Sequence, residues 1–159
     1  MVEWRHMKTE AELQKWCTAQ VRAGAWWELL GDAFQYEPKH SHGDRIAFSE
    51  LLSREHQIKA LLRGKSMEGI GYKISDAAAG YKPCDAYAMR NAGGWYVLGF
   101  RDGAEVWAID VDMVIGRLYR KDAAGEIIGV NRGSFTLEWA RGCGVRLRSS
   151  GPSGEGARS

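Results

Sequence analysis

The chain has 159 residues, 45% of them hydrophobic and 26% charged, which is enough for one compact domain with its own core. A net charge of +2 is too small by itself to announce a nucleic-acid binder. No apolar run approaches the ~20 residues of a membrane span and the opening stretch lacks a signal-peptide core, so the expectation is a cytoplasmic protein with no membrane partner. The three cysteines, Cys17, Cys84 and Cys143, are widely spaced with no CxxC pair, which argues against both a disulfide framework and a zinc ribbon.

Between Glu10 and Leu30, the residues Leu13, Trp16, Cys17, Gln20, Val21, Trp27 and Leu30 recur at three- and four-residue steps. The pattern predicts an amphipathic helix bent near Gly24, with Trp16 and Trp27 in the core. Residues 35–43 (QYEPKHSHG) contain Pro38 and Gly43 and read as a loop. His40-Ser-His42 could place two imidazoles on one side of it, but no third zinc-type ligand lies near in sequence, and a plain surface loop is the expectation.

A second helix is predicted from Ser49, as N-cap, to Arg63, stopping at Gly64. On it Leu51, Glu55, Ile58 and Leu62 form one stripe, so Glu55 shares the core-facing side. A carboxylate there needs a partner. A lysine such as Lys73, a backbone cap, or a metal shared with Asp85 would each serve.

Strands are predicted near 70–75, 85–90, 95–100 and 105–109, with Asn91-Ala-Gly-Gly94 as hairpin turn chemistry between the second and third. The stretch from Lys73 to Arg101 sets Asp76, Asp85, Lys73 and Lys82 on neighbouring extended segments. Those residue types suit a magnesium-and-phosphate site, because carboxylates hold a hard cation and lysines neutralise phosphate oxygens. Asp110-Val-Asp112 could extend the acidic site if its strand lies beside the hairpin, but the expectation is that it caps a short helix or turn over 110–118. Short strands or a hairpin are predicted over 125–130, 134–139 and 145–147. Arg and Lys outnumber acids from Arg117 onward, a bias that could contact phosphates. Residues 149–159 are Gly/Ser/Pro-rich and read as a disordered tail beyond a single domain over 1–148.

Glu55-His-Gln57 on a helix, then Lys73-Ile-Ser-Asp76, then Lys82-Pro-Cys-Asp85 and a strand-turn-strand, together resemble the PD-(D/E)xK nucleases of the restriction-endonuclease-like superfamily. The nearest likeness is to small phage-type proteins similar to Holliday-junction resolvases, over about residues 49–112. The resemblance implies an α/β fold with a mixed central sheet flanked by helices. It also implies a metal-dependent endonuclease acting on DNA, branched DNA included, and homodimerisation. Glu55 and Asp85 would be magnesium ligands, with manganese as a substitute and Asp76 as a further carboxylate. Lys73 would assist and Gln57 would make a weaker contact. Lys82 and Arg101 would touch phosphate. Where the family's second strand carries Glu-x-Lys, the chain reads Gly99-Phe100-Arg101, so the second carboxylate is expected to come from elsewhere. A catalytically inactive nucleic-acid-binding or protein-interaction module on the same fold is the alternative.

Overall fold

Thr9 opens the first helix by accepting the Glu12 N–H on its hydroxyl, and α1 (Glu10–Arg22) buries Leu13, Trp16 and Cys17. The computed structural model describes residues 6–73 and 86–149. Gly24, at φ +70°, bends the chain into the short α2 (Trp27–Leu30), as its sequence position predicts. The bend alters the helical phase. Trp26 turns inward, edge-on to Trp16 and Tyr36, while Trp27, expected in the core, is 58% exposed. Burial pushes the Cys17 thiol up to about 12, so it packs as a protonated apolar group.

The predicted loop at 35–43 is instead mostly β1 (Phe34–His40), which pairs in parallel with β5 (Gly93–Phe100). Its proline misleads. Pro38 lacks a donor, yet β1 is the terminal strand of its sheet, where one face of the ladder is free and a proline is tolerated. The sheet runs in the order β1, β5, β6 (Glu105–Asp110), β10 (Val145–Ser149), with the last two pairings antiparallel. It is therefore a mixed sheet. Helix α1 covers one face over Val97, Val106 and Ala108. On the other face Tyr96, Leu98 and Ile109 meet α4 (Glu55–Lys65) and α5 (Val111–Leu118).

The predicted helix over 49–63 is two helices. After β2 (Arg45–Ala47), α3 (Phe48–Leu52) starts from Ala47 without a side-chain cap, and Ser49 lies inside it. Arg54, at φ −131° and ψ 55°, breaks the helical path before α4. Gly64 does not end α4, which runs on to Lys65. A Cβ at Gly64 would lie 2.0 Å from Gln35 Oε1, so glycine is there to let β1 approach.

β3 (Ile70–Lys73) pairs antiparallel with β4 (Ala86–Met89). The expected hairpin from β4 to β5 does not form, because Asn91, Ala92 and Gly93 donate instead to the carbonyls of Ser66, Gly64 and Ala33. That docks the connection on the end of α4 and starts β5 at Gly93. The tight hairpin is the next one, β5 to β6. Asp110 caps α5 through the Asp112 N–H, as expected, and Lys65 bridges both carboxylates at 2.7 and 2.5 Å. Beyond it, β7 (Tyr119–Lys121) pairs with β8 (Ile127–Val130) and β9 (Ser134–Thr136) pairs with β2. Helix α6 (Leu137–Cys143) begins inside the segment predicted as strand to residue 139, where Thr136 accepts the Trp139 N–H. Among the described residues no helix is long and apolar enough to cross a membrane. Ser149, expected to open the tail, is instead the last residue of β10, while 150–159 and Cys84 lie outside the described residues.

Candidate functional site

Side chains alternate along β1, so residues two apart share a face. Tyr36 points at α1, where its hydroxyl accepts from Gln14 Nε2 at 3.2 Å. Glu37 points the other way, to α4. There Gln57 Nε2 donates to Glu37 Oε1 at 2.7 Å. Burial raises the Glu37 carboxyl above the usual carboxylate range, and Lys39 opposes that shift most strongly, with smaller contributions from Arg54 and His56. Lys39 is 3% exposed, and Glu10 Oε1 lies 3.9 Å from its Nζ. The result is a half-buried carboxylate and a buried ammonium two residues apart on one strand, with a helix-borne amide on the carboxylate.

The same patch extends over β5. Tyr96, which faces Glu37 across the β1–β5 ladder, is fully buried and its hydroxyl has no hydrogen-bond partner among the described residues. Burial raises this phenol strongly, and the charges of Glu37 and Tyr119 add to the effect. Tyr119 is raised too, first by burial and then by the Glu55 carboxylate lying against its hydroxyl. Gln57 is thus bonded to Glu37, which faces Tyr96 across the ladder, and the charges of Glu37 and Tyr119 bear on Tyr96 as that of Glu55 bears on Tyr119.

The sequence-predicted residues distribute unevenly over this arrangement. Gln57 is in the cluster, through a carboxylate that the sequence reading placed in a loop. Glu55 is there by another route than the expected stripe: the break at Arg54 removes the continuity with Leu51, and Glu55 sits exposed in the first turn of α4. A carboxylate is favoured at that position by the free N–H groups of the helix start. The Lys73 backbone pairs with Ala86, the residue that follows Asp85 in the chain. Asp76, Lys82 and Asp85 lie outside the described residues.

Arg101 is at φ 54° in the β5–β6 turn, where its guanidinium grips Asp44 at 2.6 and 3.1 Å and reaches Glu105 at 3.5 Å. Glu105 in turn takes a two-pronged bond from Arg141. The guanidinium is therefore spent on carboxylates in this arrangement.

Gly99, which the resemblance places at the family's second carboxylate, faces α1, on the side of the sheet opposite Glu37, since a Cβ there would lie 3.0 Å from Leu13 Cδ2. The chain does contain a Glu-x-Lys, at Glu37-Pro-Lys39. The signal was available, since Glu and Lys two apart share a face of any strand, but Pro38 and the neighbouring histidines disguised the strand as a loop. Comparison of the chain with models of known families, with curated proteins and with solved structures returns no match.

Proposed function

We propose that the protein is a metal-dependent phosphodiesterase acting on DNA, of the restriction-endonuclease-like kind, with its site on the β1 and α4 face of the sheet. The observation that carries the reading is the half-buried Glu37 and the buried Lys39 two apart on one strand, with Gln57 bonded to the carboxylate. In this reading Glu37 and the Asp85 carboxylate hold magnesium, or manganese in its place. Each alone is a weak ligand set for a hard cation; together with phosphate oxygens and water they complete one. Glu55 or Asp76 serves as the further carboxylate.

The chemistry follows from the charges. A magnesium ion on Glu37 would supply a hydroxide-like water and withdraw charge from a phosphate oxygen. Lys39 holds a cation in a low-dielectric setting, where it stabilises negative charge developing on the phosphate more than it would in water. In this reading Lys73 assists the chemistry as the sequence resemblance implies, and Gln57 orients the Glu37 carboxylate. Arg101 has no role in this version, because Asp44 and Glu105 occupy it.

The test is cleavage of labelled linear duplex, single strand, flap and four-way junction in Mg²⁺, Mn²⁺ or EDTA. Wild type, Glu37→Gln and Asp85→Ala are run side by side. The expected result is metal-dependent cutting that falls by roughly a hundredfold or more in each variant, the scale of losing one preorganised electrostatic group. Metal-independent binding without cutting, unchanged in Glu37→Gln, would instead support the inactive nucleic-acid-binding module.

A further inference from the structure

The His40-Ser-His42 motif acquires a third partner that sequence distance concealed. Ser41, between the two histidines, is pinned from all sides. Its N–H donates to the Gly99 carbonyl at 2.8 Å and its carbonyl accepts from the Asp102 N–H at 3.1 Å. Its hydroxyl donates to the Arg45 carbonyl at 2.6 Å and accepts from the Gly43 N–H at 3.1 Å. The end of β1 is thereby locked to the β5–β6 turn.

That turn holds three successive residues in the left-handed region, Arg101 at φ 54°, Asp102 at φ 53° and Gly103 at φ 79°. Two of them carry side chains, and non-glycine residues persist in such conformations when the surroundings over-determine them. Here the Asp44 grip on Arg101 and the Met7 N–H, donating to the Asp102 carbonyl at 2.7 Å, do so. The consequence is an Asp102 carboxylate aimed at both imidazoles. Oδ1 lies 2.6 Å from His42 Nδ1 and 3.5 Å from His40 Nε2. One ligand atom from each of the three residues lies within 4.8 Å of the others.

An independent observation points the same way. The His40 side chain is only 7% exposed, and its Nε2, turned toward this carboxylate, has no hydrogen-bond partner among the described residues. Buried polar atoms without a partner are rare, and each one asks for an explanation. The neighbouring positive charge that bears on Asp102 besides the histidines is Lys8, which is exposed and so largely screened.

We propose that His40, His42 and Asp102 bind a divalent transition-metal ion of the zinc class, through His40 Nε2, His42 Nδ1 and Asp102 Oδ1, with a fourth position open to solvent. Two imidazoles and one carboxylate suit zinc and its neighbours, whereas magnesium and calcium take oxygen ligands. Tetrahedral coordination at ~2.0–2.1 Å puts ligand atoms roughly 3.3–3.5 Å apart. The His40–Asp102 separation of 3.5 Å already meets that spacing. His42, with a side chain 77% exposed, is free to swing back from its short contact. The ion would staple the end of β1 to the β5–β6 turn. It shares no ligand with the proposed magnesium site, so either can fail alone.

The experiment is zinc titration of the reduced full-length chain by competition with a chromophoric chelator, with Co²⁺ absorption as the geometric readout. The variants are His42→Ala and Asp102→Asn, the second chosen because asparagine tolerates a positive φ, with His6→Ala as a control imidazole. One equivalent of zinc should bind the wild type and His6→Ala, and Co²⁺ should give a tetrahedral visible spectrum without thiolate charge transfer. Affinity should fall by roughly tenfold or more in His42→Ala and in Asp102→Asn, at least the loss that follows removal of an outer-shell partner. Circular dichroism and thermal melting of the metal-free variants should match the wild type. Absence of stoichiometric binding by the wild type, thiolate bands in the cobalt spectrum, or wild-type affinity in both variants overturns the proposal.

Discussion

The single strand β1 carries two polar clusters that differ in how they are built. Glu37, Lys39 and Gln57 are set by a strand and a helix that face each other in the interior. His40, His42 and Asp102 are set by a loop and a turn at the strand's end. In the first cluster, regular structure supplies the geometry and burial supplies the electrostatics. In the second, a pinned serine and a left-handed turn supply the geometry, and two of the three groups remain open to water. A defect in the first should therefore damage the fold, while a defect in the second should be felt by a ligand alone.

The sharpest way to break this contrast is to move the carboxylate. If Gly99 were the degenerate site position, Gly99→Glu would restore a ligand set. The geometry instead drives that glutamate against Leu13 on the α1 face, and burying an unpaired charge there should cost several kcal/mol. Urea unfolding should show a much less stable or insoluble protein with no gain of cleavage. Next in size, Gln57→Leu removes the amide from Glu37 Oε1 and leaves a half-buried carboxylate with one fewer donor. The expected cost is about 1–3 kcal/mol, read from the urea midpoint.

The third prediction concerns pH. The Glu37 carboxyl is raised in the folded protein, chiefly by burial, so between the ordinary glutamate value of ~4.3 and its raised value the folded state binds more protons than the unfolded state. Stability from this group is fully present below the ordinary value and is lost as pH rises through the raised one. Melting temperature across that window should therefore decline more steeply in wild type than in Glu37→Gln. Smallest of all, His42→Ala at the exposed end of β1 should leave the metal-free melting temperature at the wild-type value. A large destabilisation there would make the second cluster as structural as the first.

Particular residues show why part of this was legible in advance and part was not. The bend at Gly24, the strands near 95–100 and 105–109 and the capping of α5 by Asp110 depend on neighbours within a few residues, and sequence reading found them. It misplaced Trp27, because a bend alters helical phase beyond what periodicity tracks. The hairpin expected at Asn91–Gly94 failed for another reason. The turn residues were suitable, but the donors there found carbonyls on Ser66, Gly64 and Ala33, partners that exist only once α4 has docked. Pro38 suggested a loop because a proline's cost in a strand depends on whether that strand is terminal, which no local pattern states.

By itself the sequence determined which chemistry the chain could carry. It supplied paired acids and lysines around residues 73–101, a Glu-x-Lys at residue 37 and a histidine pair at residue 40. It also determined the segments whose periodicity is self-contained. Only the tertiary structure decided which of these groups meet. Parallel pairing of β1 with β5 brought Glu37 under Gln57 and beside Tyr96, and the β5–β6 turn brought Asp102 sixty residues back to His42. The physical reason is that burial and ligand geometry are properties of what packs against a residue, and for these side chains nearly all of that arrives from distant parts of the chain.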